Sequence, residues 1–339
     1  MSHAFHYVVG MRFPAVVVLT ALVAVSCTAT SGTTSTVIVP DDVIPTTSSP
    51  VAEPMESPGP TIVTSPTTTT SLPSTTTTTT LDLDAAGARM QADLSAIVGF
   101  GVRAAGSQAE AETAGFLFDT LDQIGLPVEM REVALPTGLS SANVIASVGT
   151  GQTHVLFGAH YDTKPPSPGA DDNGSGTVVL LELARRLATS SPAGLRVTLV
   201  FFGAEEILVG YSNDDHHFGS RLLAGELEAA GDLPDLMISA DMIGVGSEIL
   251  AATYLDFDPT AGDLIVEAAA LVGVSVDKQS RGDISDHEAF ARKGVPSVML
   301  WRPDNSAYHR ITDVEVRSDA LIEDLAILEA FLTLLTADG

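Results

Sequence analysis

"THVLFGAHYDTKPPSPGADDNGSGTVVLLELARRLA", residues 153–188, decides how this chain is read. The apolar run at 153–159 predicts a buried strand, and "VVLLELARRLA" at 178–188 predicts a helix with Glu182, Arg185 and Arg186 on its polar face. Between them stand His160 and Asp162, one residue apart, and then Asp171 and Asp172 beyond a loop rich in proline and glycine. In open α/β sheets, ligands bind outside the carboxyl ends of the strands. A histidine and three acids collected at such a place predict a site.

Outward from this unit, strands and helices alternate. Helical spacing of apolar residues marks 84–98 and 107–124, and Gly125 with Pro127 stops the second helix. Strands are predicted at 128–135, 142–148, 196–203, 235–244 and 296–301, and helices at 261–272, 286–293 and 318–337. The expected class is α/β: a three-layer α/β/α domain with a mixed, mostly parallel central sheet whose first strands are antiparallel. There is no internal repeat. "GSGTVV" at 174–179 lacks the Lys-Ser/Thr and the spacing of a phosphate-binding loop.

The polar residues fall at strand ends. His160 and Asp162 follow one strand, Glu205 and Glu206 follow 196–203, Asp241 ends the strand at 235–241, His309 lies just past 296–301, and Asp172 lies at the start of a helix. Any one of them alone has an ordinary reading: Asp172 as a helix cap, the paired glutamates as a solvated first helical turn, His309 as a structural histidine. Together, two imidazoles and three carboxylates suit two divalent ions of the zinc type if one carboxylate bridges them. Asp162 can orient His160 through its other ring nitrogen. Glu205 and Glu206, adjacent at a strand end, point to different sides, so that one ligates and the other handles protons. Spacing alone leaves open whether Asp171 or Asp172 is the bridge.

"VRAAGS", "GAHYDT", "GADDNGSG", "FFGAEE", "SADMIG", "SDHEAF" and "AYHRITD", in this order, resemble the co-catalytic zinc aminopeptidases of the M28 metallopeptidase family over most of residues 100–337. The resemblance implies a zinc-exopeptidase-like fold and two Zn2+ ions per chain. His160 and Asp241 would bind one ion, Glu206 and His309 the other, and Asp172 would bridge them. Glu205 would be the general base for the attacking water, Asp162 would orient His160, and Tyr308 would stabilise the tetrahedral intermediate. Asp286 either caps its helix or supports the site. The sequence departs from the family after Glu206, where "ILVGYSNDDHHFGS" inserts a polar loop before Ser220. This loop is expected to be solvent-exposed at the pocket rim, and Asp214, Asp215, His216 and His217 offer an extra metal site as the lesser reading. Tyr254, Phe257 and Trp301 are candidates for an apolar pocket wall, with core packing as the commoner use.

A net charge of −27 argues against nucleic acid and anionic membrane surfaces as partners, and the family resemblance implies peptides as the substrates. Residues 13–26 after Arg12 are apolar but shorter than a spanning helix needs. With Cys27, the sole cysteine, directly behind, residues 1–27 resemble a lipoprotein signal peptide whose start is better placed at Met11. The membrane would then be met only through a lipid at Cys27, with the protein exported to the outer face of the cell membrane; ordinary cleavage beside an incidental cysteine, giving a secreted protein, is the alternative. Residues 28–80, dominated by Thr, Ser and Pro, read as a disordered stalk, and 81–339 as the peptidase domain. The interval from Asp241 to His309 leaves no room for the inserted dimerisation domain of the related M20 exopeptidases. A glutaminyl cyclase with one zinc and a silent binding module on the same scaffold remain as alternatives.

Overall fold

A computed structural model describes residues 76–337 except 209, 211, 213–215 and 283. The expected signal peptide and nearly all of the stalk lie outside the described residues. In chain order the elements are α1 (Thr76–Gly99), α2 (Gln108–Ile124), β1 (Val128–Ala134), β2 (Ser140–Val148), β3 (Thr153–His160), α3 (Gly176–Thr189) and β4 (Leu195–Phe202). There follow α4 (Phe218–Ala230), β5 (Leu236–Ala240), β6 (Leu250–Tyr254), α5 (Thr260–Leu271), β7 (Asp277–Arg281), α6 (His287–Ala291), β8 (Ser297–Trp301) and α7 (Ser318–Ala337).

The strands form one sheet in the order β1-β2-β4-β3-β5-β8-β6-β7. Its centre is parallel, with β4 beside β3, β3 beside β5 and β5 beside β8. β1, β2 and β4 pair antiparallel, as expected of the first strands, and β6 runs antiparallel to β8 but parallel to β7.

Alternation along the central strands builds two cores. Val155, Phe157 and Ala159 of β3 and Val197, Leu199 and Phe201 of β4 pack towards α1, α2, α3, α5 and α7. Leu156, Val200 and Phe202 point the other way, to Leu223 of α4 and Phe290 of α6. Three layers result, and the helices leave the carboxyl ends of the parallel strands uncovered. Register then sets the site: His160 pairs with Phe202, and Gly158 with Ser239, so the ends of β3, β4 and β5 lie level.

The following differences from the sequence reading have physical causes. α1 begins at Thr76, inside the segment assigned to the stalk, because a nucleated helix gains one hydrogen bond per added residue. β7, "DKQSR", is an almost wholly exposed edge strand without an apolar face to signal it. Glu182 is fully buried rather than on a solvated face, since α1 covers it and Arg89 Nε donates to its Oε2 at 2.9 Å.

Candidate metal centre

Most of the supports of the site come from partners distant in sequence. His160 ends β3, and its Nδ1 lies 3.5 Å from Asp162 Oδ1. The same carboxylate accepts the backbone N–H of Glu205 on Oδ1 (2.9 Å) and of Glu206 on Oδ2 (3.1 Å). Asp162 thus stands beside the imidazole, whose Nδ1 lies 3.2 Å from the Asp162 backbone carbonyl, and its carboxylate fixes the turn that carries both glutamates. Buried Arg103, from "VRAAGS", donates through Nε to Tyr161 O (2.7 Å), through Nη1 to Pro168 O (2.6 Å) and through Nη2 to Gly169 O (2.9 Å). One guanidinium therefore closes the proline loop that returns Asp172 to His160.

Asp172 sits in a tight turn, Ala170–Ser175, whose amides at Asp171 and Asp172 donate to Asp313 at 3.0 and 3.2 Å. Gly169 precedes the turn at φ 64°, where a Cβ would lie 2.3 Å from Asp172 O, so only glycine fits there. Asn173 ties this turn to β5: its Nδ2 donates to Ala240 O (2.9 Å), and its Oδ1 accepts from Met242 N (3.3 Å). Asp171 points elsewhere, accepting from Gly244 N (2.7 Å) and Asn305 Nδ2 (2.8 Å). The two neighbouring acids are thereby separated: Asp172 faces the histidines and Asp171 holds loops.

Among the described residues, two groups bring ligand atoms within 4.8 Å of one another: His160 with Asp172 and Asp241, and Asp172 with Glu206 and His309. Asp172 belongs to both. Its Oδ1 lies 3.3 Å from His160 Nε2 and its Oδ2 3.1 Å from His309 Nε2. Asp241 Oδ1 is 3.4 Å from His160 Nε2, and Glu206 Oε1 is 2.9 Å from His309 Nε2. Asp172 Oδ2, Glu206 Oε1 and Asp241 Oδ1 are buried without a hydrogen-bond partner. Buried carboxylate oxygens are normally satisfied, and oxygens converging on imidazole nitrogens without a bond between them fit a divalent cation as the missing partner.

The electrostatics agree with this fit. Burial lowers both histidines, but Glu205 and Asp241 hold His160 well above its ordinary range. Asp172 and Glu206 likewise raise His309 to about 9. Without a cation, protons take its place on the ligands. Burial pushes Glu205 up to about 8, against the pull of His160 and His217. Burial, with the nearby carboxylates, also raises the Tyr308 phenol, so it stays a donor.

The ligand atoms open into a cavity of about 460 Å³, with Ile207, Met242, Ile284, Met299, Trp301 and Pro303 among its apolar lining. Trp301 is a wall residue, as one candidate reading had it. Tyr254 and Phe257 stand outside the lining and pack against each other with tilted rings, their centroids 5.3 Å apart. Tyr308 stacks on His309, its centroid 3.7 Å away, at the rim. Asp286 is buried and makes no capping bond to α6, which removes the cap reading.

The inserted loop corrects one expectation. His217 is buried, not solvent-exposed, with Nε2 2.9 Å from Glu205 Oε1. The loop returns to the strand end, since His217 N donates to Glu205 O at 2.8 Å. Its polar composition pointed to the surface, and only the long-range fold shows that one histidine turns inward. Asp313 and Asn173 also escaped the sequence reading as site residues, although both lie inside the motifs that carry the family resemblance.

The sheet order and the histidines and carboxylates gathered at its parallel strand ends define a zinc-exopeptidase-like α/β fold. Residues 143–322, just over half of the chain, match the family described as Peptidase family M28, and the chain belongs to that family. Aminopeptidase YwaD of Bacillus subtilis (strain 168) is 35% identical over 153 residues, 43% of this chain and 32% of that protein. Glutaminyl-peptide cyclotransferase of Gloydius blomhoffii is 27% identical over 237 residues, 56% of this chain and 64% of that protein. The chain thus spans less than two thirds of either relative. Among solved structures, BSAP, a zinc aminopeptidase from Bacillus subtilis, superposes with a TM-score of 0.66 at 18% identity over 74% of this chain and 94% of that one.

Proposed function

We propose that this M28 protein is a zinc-dependent aminopeptidase that hydrolyses N-terminal residues of peptides, exported and tethered through a lipid at Cys27. The observation that carries the reading is Asp172, shared by two ligand triads: His160 and Asp241 on one side, Glu206 and His309 on the other. Such a set suits two zinc ions bridged by one carboxylate, and bound there they would supply Lewis acidity and lower the pKa of water.

The chain's own residues divide the remaining work. Glu205 Oε1 faces His217 and Oε2 lies 3.9 Å from His160 Nε2, on the side of the ligand cluster. Oε2 takes the proton of the attacking water and returns it to the leaving amine. The Tyr308 hydroxyl, kept protonated, donates to the oxygen on which charge develops. The apolar wall formed by Trp301, Met299 and Ile284 receives the side chain of the first residue. On the question of localisation, no helix among the described residues is long and apolar enough to cross a membrane. A lipid at Cys27 is the attachment that the "LVAVSC" segment supports.

A second reading rests on the cyclotransferase relative, which this chain matches over a larger share of that protein than it does the aminopeptidase. Elemental analysis of the purified protein, with hydrolysis of aminoacyl anilides and cyclisation of glutaminyl peptides before and after chelation, decides between them. About two zinc ions per chain, with hydrolysis lost on chelation and restored by zinc, is the expected result. About one zinc ion with cyclisation alone overturns the proposal in favour of the cyclase.

A further inference from the structure

The loop that separates this chain from the family pattern, residues 207–217, ends on the general base. His217 N donates to Glu205 O at 2.8 Å and Phe218 N donates to Ala204 O at 2.9 Å, so the two loop ends are pinned side by side. His217 takes φ 55° at the start of α4, which turns its ring back into the site. Nε2 then lies 2.9 Å from Glu205 Oε1 and Nδ1 3.4 Å from Glu288 Oε2, and all three side chains are buried. Glu288 is itself held, by Arg221 Nη2 at 3.3 Å and by Arg292, which also contacts the Tyr254 hydroxyl. With a carboxylate oxygen at each ring nitrogen both nitrogens can donate, and, against the opposing effect of burial, the two glutamates hold the ring as an imidazolium between them.

A glutamate's terminal torsion is broad and roughly two-fold. A carboxylate that must receive a proton on one oxygen gains from having the other fixed before the reaction begins. Asp162 fixes the Glu205 backbone, but through its N–H alone. Resting on the reading of Glu205 as general base, we propose that His217 is a positioning residue for it: Nε2–H holds Oε1, leaving Oε2 as the oxygen that meets the attacking water, while Glu288 holds the imidazolium through Nδ1. The insertion that looks like a surface loop thus supplies a support for catalysis.

The test uses the zinc-loaded full chain with His217→Ala and His217→Gln, since a glutamine amide N–H can reach the same oxygen. His217→Ala is expected to lower kcat about 10- to 100-fold, with KM within about two-fold and unchanged zinc content. His217→Gln should recover most of that loss. Glu288→Gln, which leaves the His217–Glu205 contact in place but weakens its support, should lower kcat less than His217→Ala.

A second readout needs no activity. In the zinc-free protein, a double-mutant cycle of His217→Ala and Glu205→Ala, measured by urea unfolding, should show a coupling of about ten-fold or more in the unfolding equilibrium constant. Wild-type kcat in His217→Ala, equal loss in the Ala and Gln variants, or an additive cycle overturns the proposal. If His217→Ala does not fold, His217→Gln against Glu288→Gln carries the kinetic comparison: near-wild-type kcat in Glu288→Gln overturns the role given to Glu288. Absence of aminopeptidase turnover in the wild type would sink the function reading, while the zinc-free cycle still decides the His217–Glu205 contact.

Discussion

Asp162→Asn removes one negative charge from the centre of the site without changing its volume. The wild-type carboxylate is fully buried, accepts two backbone N–H groups at 2.9 and 3.1 Å, and stands 3.5 Å from the His160 ring. An asparagine has a single acceptor oxygen, so its NH2 group must face either Glu205 N, Glu206 N or the imidazole. One charge-assisted hydrogen bond is lost, about 1.5–3 kcal/mol, and one buried N–H is left without a partner at about 1–3 kcal/mol. The zinc-free variant should therefore lose about 3–5 kcal/mol of unfolding free energy, a large share of the about 5–15 kcal/mol a folded domain has. Urea unfolding followed by circular dichroism and by fluorescence of Trp301, the single tryptophan, measures this directly. Zinc affinity should fall as well, by about 10- to 100-fold, because the negative charge 3.5 Å from His160 Nδ1 is lost while only the backbone carbonyl of residue 162 stays beside the ring. A stability loss below about 1 kcal/mol would refute the reasoning, since it would mean that the two amides find other acceptors at no cost.

Glu205→Gln should keep the fold and most of the bound zinc while reducing kcat by about 10²-fold or more, checked by elemental analysis and steady-state kinetics; near-full turnover removes Glu205 as the base. Asp172→Asn should lower zinc content together with rate, because one residue serves both triads, and unchanged stoichiometry would refute the bridge. Asp324, on α7, is fully buried beside Arg302, and burial pushes its carboxyl up to about 7 although Arg302 Nε donates to it at 2.8 Å. The folded state then keeps a proton that the unfolded state releases above pH of about 4, so Asp324 adds stability in acid that is lost as pH rises towards 7. Relative to Asp324→Asn, wild-type stability should fall by up to about 1.4 kcal/mol per pH unit across that window and run parallel above it. A constant difference from pH 4 to 8 would show that Asp324 is ionised throughout.

The strand ends were legible because burial on both faces leaves an unbroken apolar run, and the first polar residue after such a run lies where the sheet stops. That rule placed His160 after 153–159 and the glutamates after 196–203, and the register agrees. β6 and β7 were not legible: "LAATY" is short, and "DKQSR" lies on the edge with no buried face. Positions that act through a distant backbone were hidden for a different reason. The turn that presents Glu205 and Glu206 has four consecutive amides, and none is satisfied within the turn. Gly203 N donates to Asn143 Oδ1 at 3.2 Å, Ala204 N to Glu110, and the glutamate amides to the two oxygens of Asp162. Ala204 is held at φ 55° in the process, a conformation alanine does not choose by itself. Locally, "GAEE" says only that two acids follow a strand; its geometry is imposed by an asparagine on β2, a glutamate on α2 and an aspartate after β3. Since those three acceptors come from separate elements that the sheet brings together, Glu205 is aimed only once the fold is complete. The same holds for His217, whose ring reaches Glu205 because the chain returns to the end of β4 through its own backbone bond.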